Sequence, residues 1–134
     1  MPRTEPDLAN RDYRHEVHLS YIVSAEVRAV YIYLIRFAEH LQGYQCYPHP
    51  NLDKKQFCYY HDSDQPYAFI VTQEHLLFYF RHASKKNSPS DLERLAPTFG
   101  EEKLSINPGG ELTIKISTKA EAKRLMSLLF PKVA

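Results

Sequence analysis

"YAFIVTQEHLLFYFR", residues 67–81, holds two runs of aromatic and β-branched residues either side of a polar break at Gln73 and Glu74. Such side chains suit a pleated, half-buried surface, so the stretch reads as two strands joined by a short turn. In the second run, alternation sends Leu76, Phe78 and Phe80 to one face and Leu77, Tyr79 and Arg81 to the other.

Working outward, "QFCYYH" at 56–61 has the same composition and adds a strand before this pair. Downstream, "KLSINPGGELTIKIS" at 103–117 reads as a hairpin. Leu104 and Ile106 share a face, "NPGG" turns the chain, and Leu112, Ile114 and Ile116 point inward again. Between the two pairs lies a polar loop, "HASKKNSPS". Ser90 with Glu93 then makes a capping box over a short helix, "DLERLA", that Pro97 ends. A second capping box, Thr118 with Glu121, opens a last helix with Ala122, Leu125, Leu128 and Leu129 as its apolar stripe and Pro131 as its stop.

Upstream, "AEVRAVYIYLIRFAEHLQG" at 25–43 carries the strongest helical period. Val27, Val30, Tyr31, Leu34, Ala38 and Leu41 form its stripe. Ser24 is placed to cap it, Glu26 favours the positive end of its dipole, and Gly43 is placed as its C′ residue. Ala25, Ala29 and Ile32 fall off the stripe, so this helix is expected to be covered on more than one side, by the domain or by a partner. "EVHLSYIV" at 16–23 reads as a short strand or extended lead-in, and residues 1–12, without periodicity, as a mobile tail. The expected fold is a single small α+β domain over 13–134. An antiparallel sheet of about five strands has a long helix before it and a C-terminal helix packed on one face.

The chain has 134 residues, 43% of them hydrophobic and 25% charged, with a net charge of +1. That suits one globular domain and excludes a strongly basic polyanion binder. The balance is uneven: residues 1–75 sum to −3 and residues 76–134 to +4. No window approaches the ~18 apolar residues of a membrane span, and the first residues lack a signal-peptide core. Two cysteines do not make a disulfide framework, so a cytoplasmic protein with reduced thiols and no membrane partner is expected.

Three constellations could carry function. Cys46 with His49 and Cys58 with His61 repeat a Cys-x-x-His spacing, which suits the tetrahedral preference of zinc. Against it, a regular strand over "FCYYH" would send Cys58 and His61 to opposite faces. The leading expectation is therefore no cofactor, with zinc as the alternative. Asp62, Asp64 and Glu74, with His61 and His75, would be the metal ligands of a nuclease, although "HDSDQP" is also ordinary turn chemistry.

The third is aromatic and basic. Ten tyrosines occur without a tryptophan. Tyr59, Tyr60, Tyr67 and Tyr79 fall on the expected strands. Arg81, Lys85 and Lys86 stand at one end of the sheet, with Lys115, Lys119, Lys123 and Arg124 on the hairpin and last helix. Such a surface can stack bases and neutralise phosphates, and tyrosine and arginine also anchor protein interfaces. The expected function is a non-enzymatic binding module, an accessory protein for nucleic acid that uses Tyr79 and these cations. The alternatives are a small protein-binding inhibitor or immunity factor, with a homodimer through the helix at 25–42 as one partner arrangement, and more distantly a metal-dependent nuclease.

Overall fold

The computed structural model describes residues 8–62, 64–80, 97, 99–106, 108 and 111–133. In chain order the elements are α1 (Leu8–Tyr21), α2 (Ala25–Ala38), β1 (Tyr44–Pro48), β2 (Gln56–His61), β3 (Asp64–Val71), β4 (Leu76–Phe80), β5 (Leu104–Ile106), β6 (Leu112–Ile116) and α3 (Lys119–Leu129). The six strands form one sheet in the order β1-β2-β3-β4-β6-β5. Every neighbouring pair is antiparallel. The α+β class, the preceding helix and the C-terminal helix agree with the sequence reading.

The register explains the core. Phe57, Phe69 and Phe78 sit directly opposite one another on β2, β3 and β4, and Ile114 on β6 continues the row. The rings of Phe57 and Phe69 stack at 5.2 Å, and those of Phe69 and Phe78 at 6.5 Å. All four side chains are buried, as are Val27, Val30, Tyr31 and Leu34 of α2 and Ala122, Leu125 and Met126 of α3. The two helices therefore cover one face of the sheet and pack on each other. Each phenylalanine so buried contributes roughly 2–3 kcal/mol of transfer free energy. The opposite face carries a smaller cluster, Tyr47, Cys58 and Tyr60.

Helix termini follow local chemistry. The Ser24 side chain accepts a hydrogen bond from the Val27 amide at 3.2 Å and caps α2. Thr118 accepts from the Glu121 amide, while Glu121 Oε1 accepts from the amides of Ser117 and Thr118, so α3 opens with the expected capping box. Burial alone would raise the Glu121 pKa. The amide of Ser117, Lys103 at 2.9 Å and the amide of Thr118 outweigh it and leave the carboxyl below its usual range.

Several expectations are corrected. Residues 16–21 are the end of α1 rather than a strand, and α1 begins at Leu8, inside the stretch assigned to a tail. Among its described side chains the buried ones are Arg14, His18 and, just beyond the helix, Ile22, spaced four apart. A helical period carried by arginine and histidine leaves no hydrophobic signature. The segment at 44–48 is a strand, β1, where the sequence reading had only a loop. Gly43 is not the C′ residue of α2, which stops at Ala38 with Glu39 as its cap. The chain then winds through 3.0–3.2 Å bonds from the amides of Glu39, His40 and Leu41 to carbonyls three residues back. Gly43, at φ 82°, turns it into β1. Pro97 and Phe99 are helical, and the chain leaves that conformation at Gly100, at φ 83°; the short helix expected at 91–96 lies outside the described residues. The Ser90–Glu93 capping box and most of the "NPGG" turn lie outside the described residues. Among the described residues no helix is long and apolar enough to cross a membrane.

Candidate functional site

The basic and aromatic residues singled out in the sequence divide between two sides of the molecule. Tyr79 lies opposite Thr113 in the β4–β6 register, and Leu77 lies opposite Lys115. Tyr79 and Lys115 thus share the sheet face turned away from α2 and α3. Lys119, Lys123 and Arg124 are exposed on α3, on the helical side. Arg81, Lys85 and Lys86 lie outside the described residues. The five described residues therefore lie on two sides of the molecule, because α3 covers the face opposite Tyr79.

The Cys/His set does not converge either. Cys46 pairs with Tyr59 and Tyr47 with Cys58, so the alternation of β1 and β2 puts the two sulfurs on opposite faces. Cys46 packs against the helical core, and Cys58 belongs to the small cluster on the other side. The unbroken β1–β2 register sets His61 opposite Tyr44, and their rings lie 4.8 Å apart, while the shift between Tyr59 and His61 falls in the β2–β3 pairing, where His61 meets Asp64. His49 turns into a loop, where its Nδ1 accepts from the Asn51 amide at 3.0 Å. Neither cysteine forms a disulfide. Burial, reinforced by Cys58, outweighs a backbone hydrogen bond and pushes the Cys46 pKa up to about 12, so this sulfur is protonated at neutral pH rather than an activated nucleophile.

The nuclease constellation is likewise dispersed. Asp62 and Asp64 sit at the start of β3, Glu74 and His75 beyond its end. An eight-residue strand separates them by roughly 25 Å at about 3.4 Å per residue. Among the described residues no group of three or more His, Cys, Asp or Glu side chains is placed to hold a metal ion.

What the fold does assemble is a groove on the outer side of α2. Tyr33 and Phe37 are one helical turn apart, half-buried, with ring centroids 6.0 Å apart. Ala29 and Ile32 lie beside them, one turn toward the helix start. From the first turn of α3, Lys119 reaches across and sets its Nζ 5.9 Å from the centre of the Tyr33 ring, within cation–π range. Arg36 and His40, both exposed, complete a hollow of about 430 Å³. Burial raises the pKa of Tyr33, so its hydroxyl stays neutral. Three cation-forming side chains thus stand around an aromatic floor, and no carboxylate is among the lining residues.

The carboxylates collect on the other side of Arg36. A cleft of about 470 Å³ between α1, α2 and β1 has Asp12, His15, Glu39 and Cys46 in its walls. Behind His15, its Nδ1 lies 2.7 Å from the Tyr31 hydroxyl, and His18 Nδ1 lies 2.9 Å from the same oxygen. One hydroxyl proton cannot serve both rings, so one histidine accepts it and the other donates its own Nδ1–H.

Of the groove residues, the sequence reading named Lys119 alone as a site candidate. Tyr33 and Phe37 were missed, although their i, i+4 spacing off the apolar stripe is the signal that marks them. Ala29 and Ile32 had pointed to a second covered side of this helix. Comparison with protein-family models, curated proteins and solved structures finds no match to this chain.

Proposed function

We propose that this chain is a non-enzymatic accessory protein that binds nucleic acid, through the α2–α3 groove rather than the Tyr79 side of the sheet. The observation that carries this reading is the groove's lining: Tyr33 and Phe37 on the floor, Lys119, Arg36 and His40 around it, and no carboxylate among them. Base faces stack on such a floor whatever the sequence, while the cations neutralise the backbone. Lys123 and Arg124, exposed further along α3, extend the positive field. Near-neutral net charge keeps the affinity modest and confines it to this side of the molecule.

The test is a titration of labelled mixed-sequence oligonucleotides across a salt series. Two or three neutralised phosphates give a slope of about −1.4 to −2.1 against log salt, roughly a tenfold loss of affinity between 50 and 200 mM. Lys119→Gln should flatten that slope by about 0.7. No binding even at the lowest salt would overturn the reading and leave the groove to a protein partner, where truncating Tyr33 would cost more than removing any rim charge.

A further inference from the structure

The groove does not end at His40. That residue also borders a second hollow, of about 540 Å³, whose walls include Leu41, Tyr44, Phe130, Lys132 and Val133. The aromatic floor is continuous between the two. Phe37 lies 6.2 Å from Phe130, and Phe130 lies edge-on to Tyr44 at 5.5 Å. The second hollow is built by the end of α3. The Phe130 amide bonds to the Met126 carbonyl at 2.8 Å and the Val133 amide to the Phe130 carbonyl at 3.1 Å, and this turn holds Lys132 at the outer rim. Among the lining residues of this hollow, too, there is no carboxylate.

We infer that the two hollows are one tract for a single-stranded polynucleotide, DNA or RNA, running from Lys119 past Arg36 and His40 to Lys132. This rests on the nucleic-acid reading above and narrows it. The first reason is length. Ala29 to His40 spans roughly 16 Å at about 1.5 Å per residue, before the second hollow is added. A stacked strand advances about 3.4 Å per phosphate, so the first hollow alone takes roughly five nucleotides, and the second, with Lys132 at its rim, lengthens the tract further. The second reason is the floor. Half-buried rings at the bottom of a groove meet bases only when these project from an unpaired strand, because in a duplex the base faces already stack on one another. Each stacked base adds roughly tenfold to a hundredfold in affinity without choosing a sequence.

The experiment compares fluorescein-labelled dT8, rU8 and a hairpin duplex of equal phosphate count, at 50 to 200 mM KCl, on the full chain. Either single strand should bind at least tenfold tighter than the hairpin. Equal binding of dT8 and rU8, or a preference for one, supports the tract and identifies the sugar it accepts. Lys119→Gln and Lys132→Gln, at opposite ends and both exposed, should each reduce the salt slope for the eight-mers by about 0.7, and the double variant by about 1.4. Circular dichroism of each variant confirms that the fold is retained. Hairpin binding as tight as the single strands, or a slope untouched by Lys132→Gln, would overturn the tract while the first hollow kept its nucleic-acid role. No binding of any probe at 50 mM would overturn both.

Discussion

Lowering the pH should loosen α1 through a single buried imidazole. His18 is fully buried between α1 and α2, and its Nδ1 shares the Tyr31 hydroxyl with His15. Desolvation, with smaller contributions from the charges of His15, Lys55 and Arg14, lowers its pKa from 6.5 to about 4. The folded protein therefore holds this ring neutral, while the unfolded chain takes up a proton first as the pH falls. The stability tied to the neutral ring is complete above pH 6.5, is lost progressively between 6.5 and 4, and changes no further below 4. At about 1.4 kcal/mol per pH unit of separation the loss reaches on the order of 3 kcal/mol at pH 4. That is a large part of the 5–15 kcal/mol by which domains are usually stable. His18→Met fills the space without a titrating group, and Tyr31 keeps His15 as a partner. Urea unfolding followed by circular dichroism at pH 7.5 and pH 4 measures both proteins. Carboxylates titrate in both, so the difference isolates His18, and the wild type should lose about 3 kcal/mol more than the variant. Parallel pH dependence in the two proteins would refute the argument.

Two further substitutions test the packing. The Tyr59 hydroxyl is buried without a hydrogen-bond partner among the described residues, and desolvating an unpaired hydroxyl costs about 1–3 kcal/mol. Tyr59→Phe is therefore expected to leave the melting temperature unchanged or raise it, and a clear drop would show that the hydroxyl is satisfied in solution. Thr118→Ala removes the side-chain half of the α3 capping box and should cost about 1 kcal/mol in urea unfolding. Because Lys119 is carried by the first turn of that helix, the same variant is expected to weaken oligonucleotide binding as well.

The parts of the fold legible in the sequence were those whose buried faces are apolar. Strict alternation in "LLFYF" and "LTIKI" fixed which side chains enter the core, and Ser24 and Thr118 marked where two helices begin. The first helix was illegible because Arg14 and His18 occupy the positions where leucine or valine would have shown its period. Its stability comes instead from specific partners, among them the Pro48 carbonyl for Arg14 at 3.2 Å and the Tyr31 hydroxyl for His18. Those partners are distant in sequence. β1 was hidden by its half-buried start and terminal proline. The groove was half legible: Ala29 and Ile32, off the apolar stripe of α2, pointed to a second covered side, and they line the groove. That Lys119 stands over Tyr33 depends on α2 and α3 packing side by side, which no local pattern encodes.

Amide chemical-shift mapping measures directly where a nucleic acid touches the chain. On titrating ¹⁵N-labelled protein with dT8 at low salt, the shifted amides are expected to fall on residues 29–42, on Lys119 and on residues 130–133. Shifts centred instead on Tyr79 and Lys115 across the opposite face of the sheet, or no shifts at all at millimolar dT8, would contradict that placement.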